Sequence, residues 1–175
     1  MSASTGLSLV PPTPALEASY RGYIDELGDE ERYPFPLDFD HADFRALLQR
    51  VDDLARGVRV PEGFVPSSTF WLVEDGALVG VSNLRHTLNE RIRHCGGHIG
   101  LGIRPSFRGR GLGNTLMRLS IAQARARGID ELHIHCHKHN QASARMIIAN
   151  GGRLHSEVAV GEPAEVVQRF IVPPG

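Results

Sequence analysis

The segment Arg108-Gly109-Arg110-Gly111-Leu112-Gly113 constrains the fold most, because it joins an apolar strand-like run ending at Ile103 to a long helical repeat that opens at Leu112. Glycines in such a turn let the backbone approach a phosphate closely. A helix that starts in such a turn presents unpaired N–H groups and a partial positive charge, a combination suited to phosphate. Arg108 and Arg110 add guanidinium donors that match phosphate oxygens. The segment therefore reads as an anion site, with a diphosphate as its expected ligand. A Walker loop is excluded, since Gly113 is followed by Asn114-Thr115 where Lys and Ser or Thr are required. The glycine spacing also fails the dinucleotide fingerprint.

The rest of the chain supplies the elements around this turn. Leu7 to Val10 is a short edge strand stopped by Pro11-Pro12, and Thr13-Pro14 opens a helix whose face is Leu16, Tyr20, Ile24 and Leu27 before Gly28. A second helix from near Asp40 carries Phe44, Leu47, Leu48, Val51 and Leu54, with Gly57 just past its end. Phe70 to Glu74 and Ala77 to His86 flank Asp75-Gly76, a type I′ hairpin turn. A third strand is expected over about Arg93 to Ile103, entered through the loop Asn89-Glu90-Arg91. Leu112 to Gly128 forms the long helix, Leu132 to His137 a strand, Gln141 to Asn150 a helix closed by Gly151-Gly152, and Arg153 to Val160 and Val166 to Val172 the last strands. The order βααβββαβαββ calls for one mixed α/β sheet covered by helices. A single domain over residues 1–175 is expected, with residues 1–6 flexible.

Nineteen Lys plus Arg against twenty Asp plus Glu leave a formal charge of -1, without the basic excess of a nucleic-acid binder. The two cysteines, Cys95 and Cys136, build no disulfide framework and no zinc ribbon. The start has no leader pattern, and no run reaches the roughly 18 apolar residues of a membrane span. A cytoplasmic protein with neither nucleic-acid nor membrane partners is expected.

Arg108-x-x-Gly111-x-Gly113 resembles the signature of the GNAT superfamily of acyl-CoA-dependent N-acetyltransferases. Ile103-Arg104-Pro105-Ser106-Phe107 resembles that family's lead-in, and Asn140-Gln141-Ala142-Ser143-Ala144 with Asn150-Gly151-Gly152 its second block. The stretch Phe64 to Trp71, with Arg85-His86 and Gly96 to Gly100, looks like a bacterial branch of the superfamily. The resemblance implies a GNAT fold: a central, mostly antiparallel mixed sheet of about seven strands flanked by four helices. It implies acetyl-CoA as cosubstrate and transfer of acetyl to the primary amine of a small-molecule or peptide acceptor; a non-catalytic acyl-CoA sensor on the same fold is the alternative. Backbone N–H groups of Arg108, Gly109, Arg110, Gly111, Leu112, Gly113 and Asn114 would hold the coenzyme A diphosphate. The backbone of Leu101, Gly102 and Ile103 would pair with the pantetheine arm, the thioester would lie where the flanking strands splay apart, and Asn140 and Ser143 would face the coenzyme from the far side. The amine would enter from the opposite mouth. Homodimers are common in the family.

Amine acetylation needs a neutral nucleophile, donors for the oxyanion and an acid for the thiolate. His98 stands where many relatives place a glutamate base, and Glu90 and His86 follow it as candidates; a backbone N–H at Leu101 would serve the oxyanion. Many relatives carry a tyrosine acid seven residues after the asparagine, where this chain has Ile147. His133, His135, His137 and His139 alternate, so a strand would put their rings on one face, but His139 is expected to leave the row and no metal is expected. The acidic run Asp25 to Glu31 would favour a cationic acceptor.

Overall fold

The computed structural model describes residues 6–175. Of the lead expected to be flexible, residues 1–5 lie outside the described residues, whereas Gly6 accepts the Asp75 amide at 3.1 Å. The elements run β1 (Leu7–Val10), α1 (Glu17–Leu27), α2 (Phe44–Arg56), β2 (Ser67–Glu74), β3 (Ala77–Arg85), α3 (Glu90–His94), β4 (Ile99–Ile103), α4 (Leu112–Ala126), β5 (Leu132–His137), α5 (Gln141–Ala149), β6 (Arg153–Val160) and β7 (Glu165–Val172).

Local chemistry accounts for most boundaries. Thr13 caps a short 3-10 turn, Pro14–Leu16, that leads into α1. The cap of α2 is Asp43, whose carboxylate accepts the Ala46 amide, while Asp40 is spent on the Ala42 amide one turn earlier. The strand expected from Arg93 begins only at Ile99. In its place Asn89 accepts the Ile92 amide and starts α3, and Gly96 and Gly97, at φ +131° and +70°, redirect the chain. A Cβ on Gly97 would strike the His133 carbonyl, so this close approach requires glycine. A fifth helix thus joins the four read from periodicity.

All strand pairs are antiparallel, in the orders β1-β2-β3-β4 and β5-β7-β6. Between β4 and β5, where a single sheet would close, the described residues share one bridge, Gly97 with Ile134, beside a 2.6 Å bond from His98 N–H to the His133 carbonyl. Beyond it the strands part. One face of the first sheet carries α1 and α2 around Tyr20, Tyr23, Trp71 and Val81. The other face packs Leu101 and Ile103 against Leu112 and Leu116 of α4. Leu132 and Ile134 continue that layer with Met117 and Ile147, so strand alternation turns His133, His135 and His137 to the α1/α2 side.

Candidate active site

The parting of β4 and β5 opens into a cleft of about 680 Å³. At one end lies the glycine turn. Gly109 and Gly111 both adopt φ +77°, with open space where a side chain would sit. Arg108 N–H is used by the Pro105 carbonyl, and the helical ladder begins at Thr115 N–H to Gly111. The amides from Gly109 to Asn114 find no acceptor among the described residues. They form a backbone cradle for an anion.

The arginines behave differently from the sequence expectation. Arg108 donates to both carboxylate oxygens of Glu30, at 2.9 and 3.1 Å, and to the Ile103 carbonyl at 3.0 Å. Arg110 donates to Glu74 at 2.7 Å. The Arg108 guanidinium in turn holds the Glu30 carboxyl below its ordinary range. Both cations of the turn are therefore already matched by protein carboxylates, and the cradle's attraction for an anion comes from its amides. Two of the five acids of the run are consumed in the same way, Glu30 by Arg108 and Glu26 by Arg104 at 2.5 Å and the Ser106 amide at 2.9 Å, the latter tying α1 to the exit of β4. Glu31 lines the cleft.

Leu101, Gly102, Ile103, Arg108 and Gly113 border the cleft on one side, and Asn140, Ser143 and Met146 on the other. Asn140 caps α5, its side-chain oxygen accepting the Ser143 amide at 3.1 Å, so these two residues are fixed relative to one another. On the α1/α2 side Tyr33 lies along β4. A Cβ on Gly100 would sit 2.6 Å from the Tyr33 hydroxyl, and one on Gly102 2.5 Å from its carbonyl oxygen. Alternate glycines in a strand thus make the bed for a tyrosine that the sequence reading did not single out; the Gly-Leu-Gly alternation was the available signal.

The model of the acetyltransferase (GNAT) family matches residues 24–149. The chain belongs to the GNAT family. Among solved structures, the GNAT chain is similar to RimL, the ribosomal L7/L12 alpha-N-protein acetyltransferase in complex with coenzyme A, at 19% identity and TM-score 0.69, with 98% of this chain and 96% of that one covered. It is similar also to the ribosomal-protein-S5-alanine acetyltransferase of Vibrio fischeri, at 14% identity and TM-score 0.67 with coverage of 96% and 92%. A spermidine N-acetyltransferase of Vibrio cholerae, dodecameric in its structure, matches at 12% identity and TM-score 0.67 with coverage of 97% and 95%. No curated protein matches the sequence.

Within this GNAT cleft the three side chains read as base candidates are not among the lining residues. His98 is buried at 6% exposure, and its Nδ1 accepts the His133 amide at 3.0 Å. Burial first, then the neighbouring His133, pulls its pKa down to about 4. His86 sits 2.8 Å from the Ser68 hydroxyl and is likewise lowered to about 4, by burial and then by Arg127. Glu90 is exposed at the start of α3. Ile147, in the position of the usual tyrosine, is a core residue at 1% exposure. The titratable side chains that do line it include Tyr23, Glu31, Tyr33, Cys95, His135 and His137.

The histidine row divides. His133 donates toward Glu131 at 3.0 Å, and His135 is buried. His139 follows the end of β5, yet its ring stacks on His137 at 5.2 Å, and Glu165 approaches His137 Nδ1 at 3.2 Å. These three exposed side chains hold their ligand atoms within 4.8 Å of one another. Glu165, from the first position of β7, is the acidic neighbour that spacing alone could not indicate. No described helix is long and apolar enough to cross a membrane.

Proposed function

We propose that this GNAT protein transfers the acetyl group of acetyl-CoA to a primary amine by direct attack. The run of acceptor-less amides from Gly109 to Asn114 carries this reading, because it opens onto a cleft running between two strands that have parted. The coenzyme diphosphate accepts from those amides. The pantetheine arm runs beside Leu101, Gly102 and Ile103, with Asn140 and Ser143 across from it, and the thioester reaches the narrow end near the Gly97–Ile134 bridge. The amine enters past Tyr33 and Glu31, and the Glu31 carboxylate favours a cationic acceptor.

The neutral amine nitrogen attacks the thioester carbonyl, and the tetrahedral intermediate collapses with cleavage of the C–S bond. The nitrogen loses one proton and the thiolate gains one. Ile147 has no proton to give, and His98, with Nδ1 bonded to a backbone amide and its pKa depressed, is a poor base; water carries both transfers in this scheme. The same two facts favour a second reading, a protein that binds acyl-CoA without turning it over.

Thermal shift tests the first step. Acetyl-CoA or CoA at a hundred times its dissociation constant stabilises by about 2.7 kcal/mol. Absence of a shift with either ligand rejects both readings. A panel of amines, amino acids, polyamines and peptides, read by thiol release, then separates enzyme from sensor.

A further inference from the structure

Three exposed side chains at the end of β5, His137, His139 and Glu165, are arranged as ligands for a metal ion. The backbone puts them there. His137 closes β5 opposite Val167 of β7, and Glu165 stands two residues before Val167 on that strand, which makes it a diagonal neighbour on the same face. The Lys138 amide donates to the Val166 carbonyl at 2.8 Å, so bonding to β7 runs one residue past the strand end. The Asn140 amide then donates to the His137 carbonyl at 2.9 Å and closes a turn around Lys138 and His139. Through this turn His139 comes back beside His137, the two rings lying 5.2 Å apart and within 11° of parallel. Lys138, the cation between them in sequence, is drawn off to Glu157 at 3.3 Å.

Donor types and distances narrow the ligand. Two imidazoles and one carboxylate suit zinc and its neighbours in the transition series, whereas magnesium and calcium take oxygen ligands. A tetrahedral zinc with bonds of about 2.0–2.2 Å sets its ligand atoms about 3.3–3.6 Å apart. His137 Nδ1 and a Glu165 carboxylate oxygen already stand 3.2 Å apart. The ligand atom of His139 lies within 4.8 Å of both, and an exposed ring on a turn closes that gap by side-chain rotation. The His137 and Glu165 side chains are 50% and 55% exposed, so an ion reaches them from solvent without disturbing the core. The two histidines earlier in the row are engaged elsewhere, His133 with Glu131 and His135 with the Gly96 amide. We infer that His137 Nδ1, a ring nitrogen of His139 and a carboxylate oxygen of Glu165 bind one zinc-class divalent ion, with solvent in the fourth position. Because His137 also borders the cleft, the ion sits at its rim and ties the end of β5 to the start of β7. None of the three ligands holds the coenzyme in the acetyl-CoA reading, so the site stands apart from it.

The experiment is a zinc titration of the full chain, without an affinity tag and without coenzyme, in competition with a chromophoric zinc chelator. The expected result is one zinc per chain, a higher melting temperature with zinc, and no displacement by excess magnesium or calcium. His139→Ala and Glu165→Gln each weaken binding by about tenfold or more, since even a partner outside the ligand set typically contributes roughly 10–100-fold. Glu165→Gln keeps the shape of the side chain, so its loss of binding reports the carboxylate and not the fold. His155→Ala, which removes an exposed histidine outside the group, binds as the parent does. Nitrogen NMR on histidine-labelled protein shows zinc moving the rings of His137 and His139 and leaving those of His98 and His135 in place. No zinc on the folded parent, binding that survives in a His139→Ala, Glu165→Gln double variant, or shifts confined to other histidines overturns the assignment. Acetyl-CoA binding is measured separately: a chain that takes the coenzyme but no zinc overturns this site alone, and one that takes zinc but no coenzyme supports the site while rejecting the acetyl-CoA reading.

Discussion

Acidification from pH 7 to pH 5 will weaken this fold through His98 and His135. Each ring uses Nδ1 to accept a backbone amide, from His133 and Gly96 respectively, so protonation at that nitrogen breaks a bond and charges a buried ring. Folded pKa values of about 4 and about 3 compare with roughly 6.5 in the unfolded chain. A depressed histidine pKa means that, between those limits, the unfolded state binds more protons than the native one. Stability therefore falls as the pH falls, by about 1.36 kcal/mol per pH unit for each ring. Integrated to pH 5, each costs about 2 kcal/mol, and the pair about 4 kcal/mol. For a domain of this size that is a melting point lower by roughly 8–16 °C. Glu26, where hydrogen bonds from Ser106 and then Arg104 outweigh burial, and Glu30, held low by Arg108, release their contribution only below about pH 4.5, so the window from pH 7 to pH 5 isolates the imidazoles. Urea unfolding at pH 7, 6 and 5 on the parent and on a His98→Asn, His135→Gln double variant measures the difference; His86 adds the same background to both. The parent should lose about 4 kcal/mol more than the variant across the window. Parallel losses would show that these rings are not buried neutral acceptors.

The anion cradle and the close-packed glycines give four further expectations. Arg110→Gln, which breaks an exposed pair with Glu74, should change CoA affinity by no more than about fivefold in calorimetry, since such pairs contribute about 0–1 kcal/mol. Gly111→Val forces a β-branched residue to φ +77°, which costs about 1–2 kcal/mol in the backbone alone, and should abolish the CoA-induced thermal shift; the opposite ranking of these two variants would return the site to its arginines. Gly100→Ala pushes a methyl group toward the Tyr33 hydroxyl and should raise KM for the amine while leaving the acetyl-CoA dissociation constant within about threefold. Gly152→Ala drives a Cβ into Ile147, a side chain closed into the core, and should destabilise by about 1–3 kcal/mol in chemical unfolding without altering ligand affinity.

Sequence legibility was uneven for physical reasons. The turn was readable because positive φ is written into residue type: Gly109 and Gly111 stand where only glycine is comfortable, and the helix start follows from the repeat after Leu112. The shared face of His133, His135 and His137 followed from strand alternation. Which of them reaches the cleft did not, since that depends on where β4 and β5 separate. The short α3 was lost because its signal is one capping side chain, Asn89, in a stretch too brief to show a period. The neutralisation of Arg108 by Glu30 joins residues 78 apart in the chain, and no local pattern encodes such a meeting. Tyr33 was hidden by the same kind of distance, although the glycines beneath it were in plain view.

The parting of β4 from β5 has a consequence for the handling of the protein. Along Ile99–Ile103 one edge of β4 faces the opening with no neighbouring strand among the described residues, and such an edge is a template on which sheets of different molecules join. Here the edge runs through the interior, with Tyr33 on one side and Met146 on the other, so intermolecular pairing requires one half-sheet to loosen first. A compound that lies along β4 and spans to β5 would cover this edge and hold the halves together. Solubility and shelf life should therefore track occupancy of the cleft.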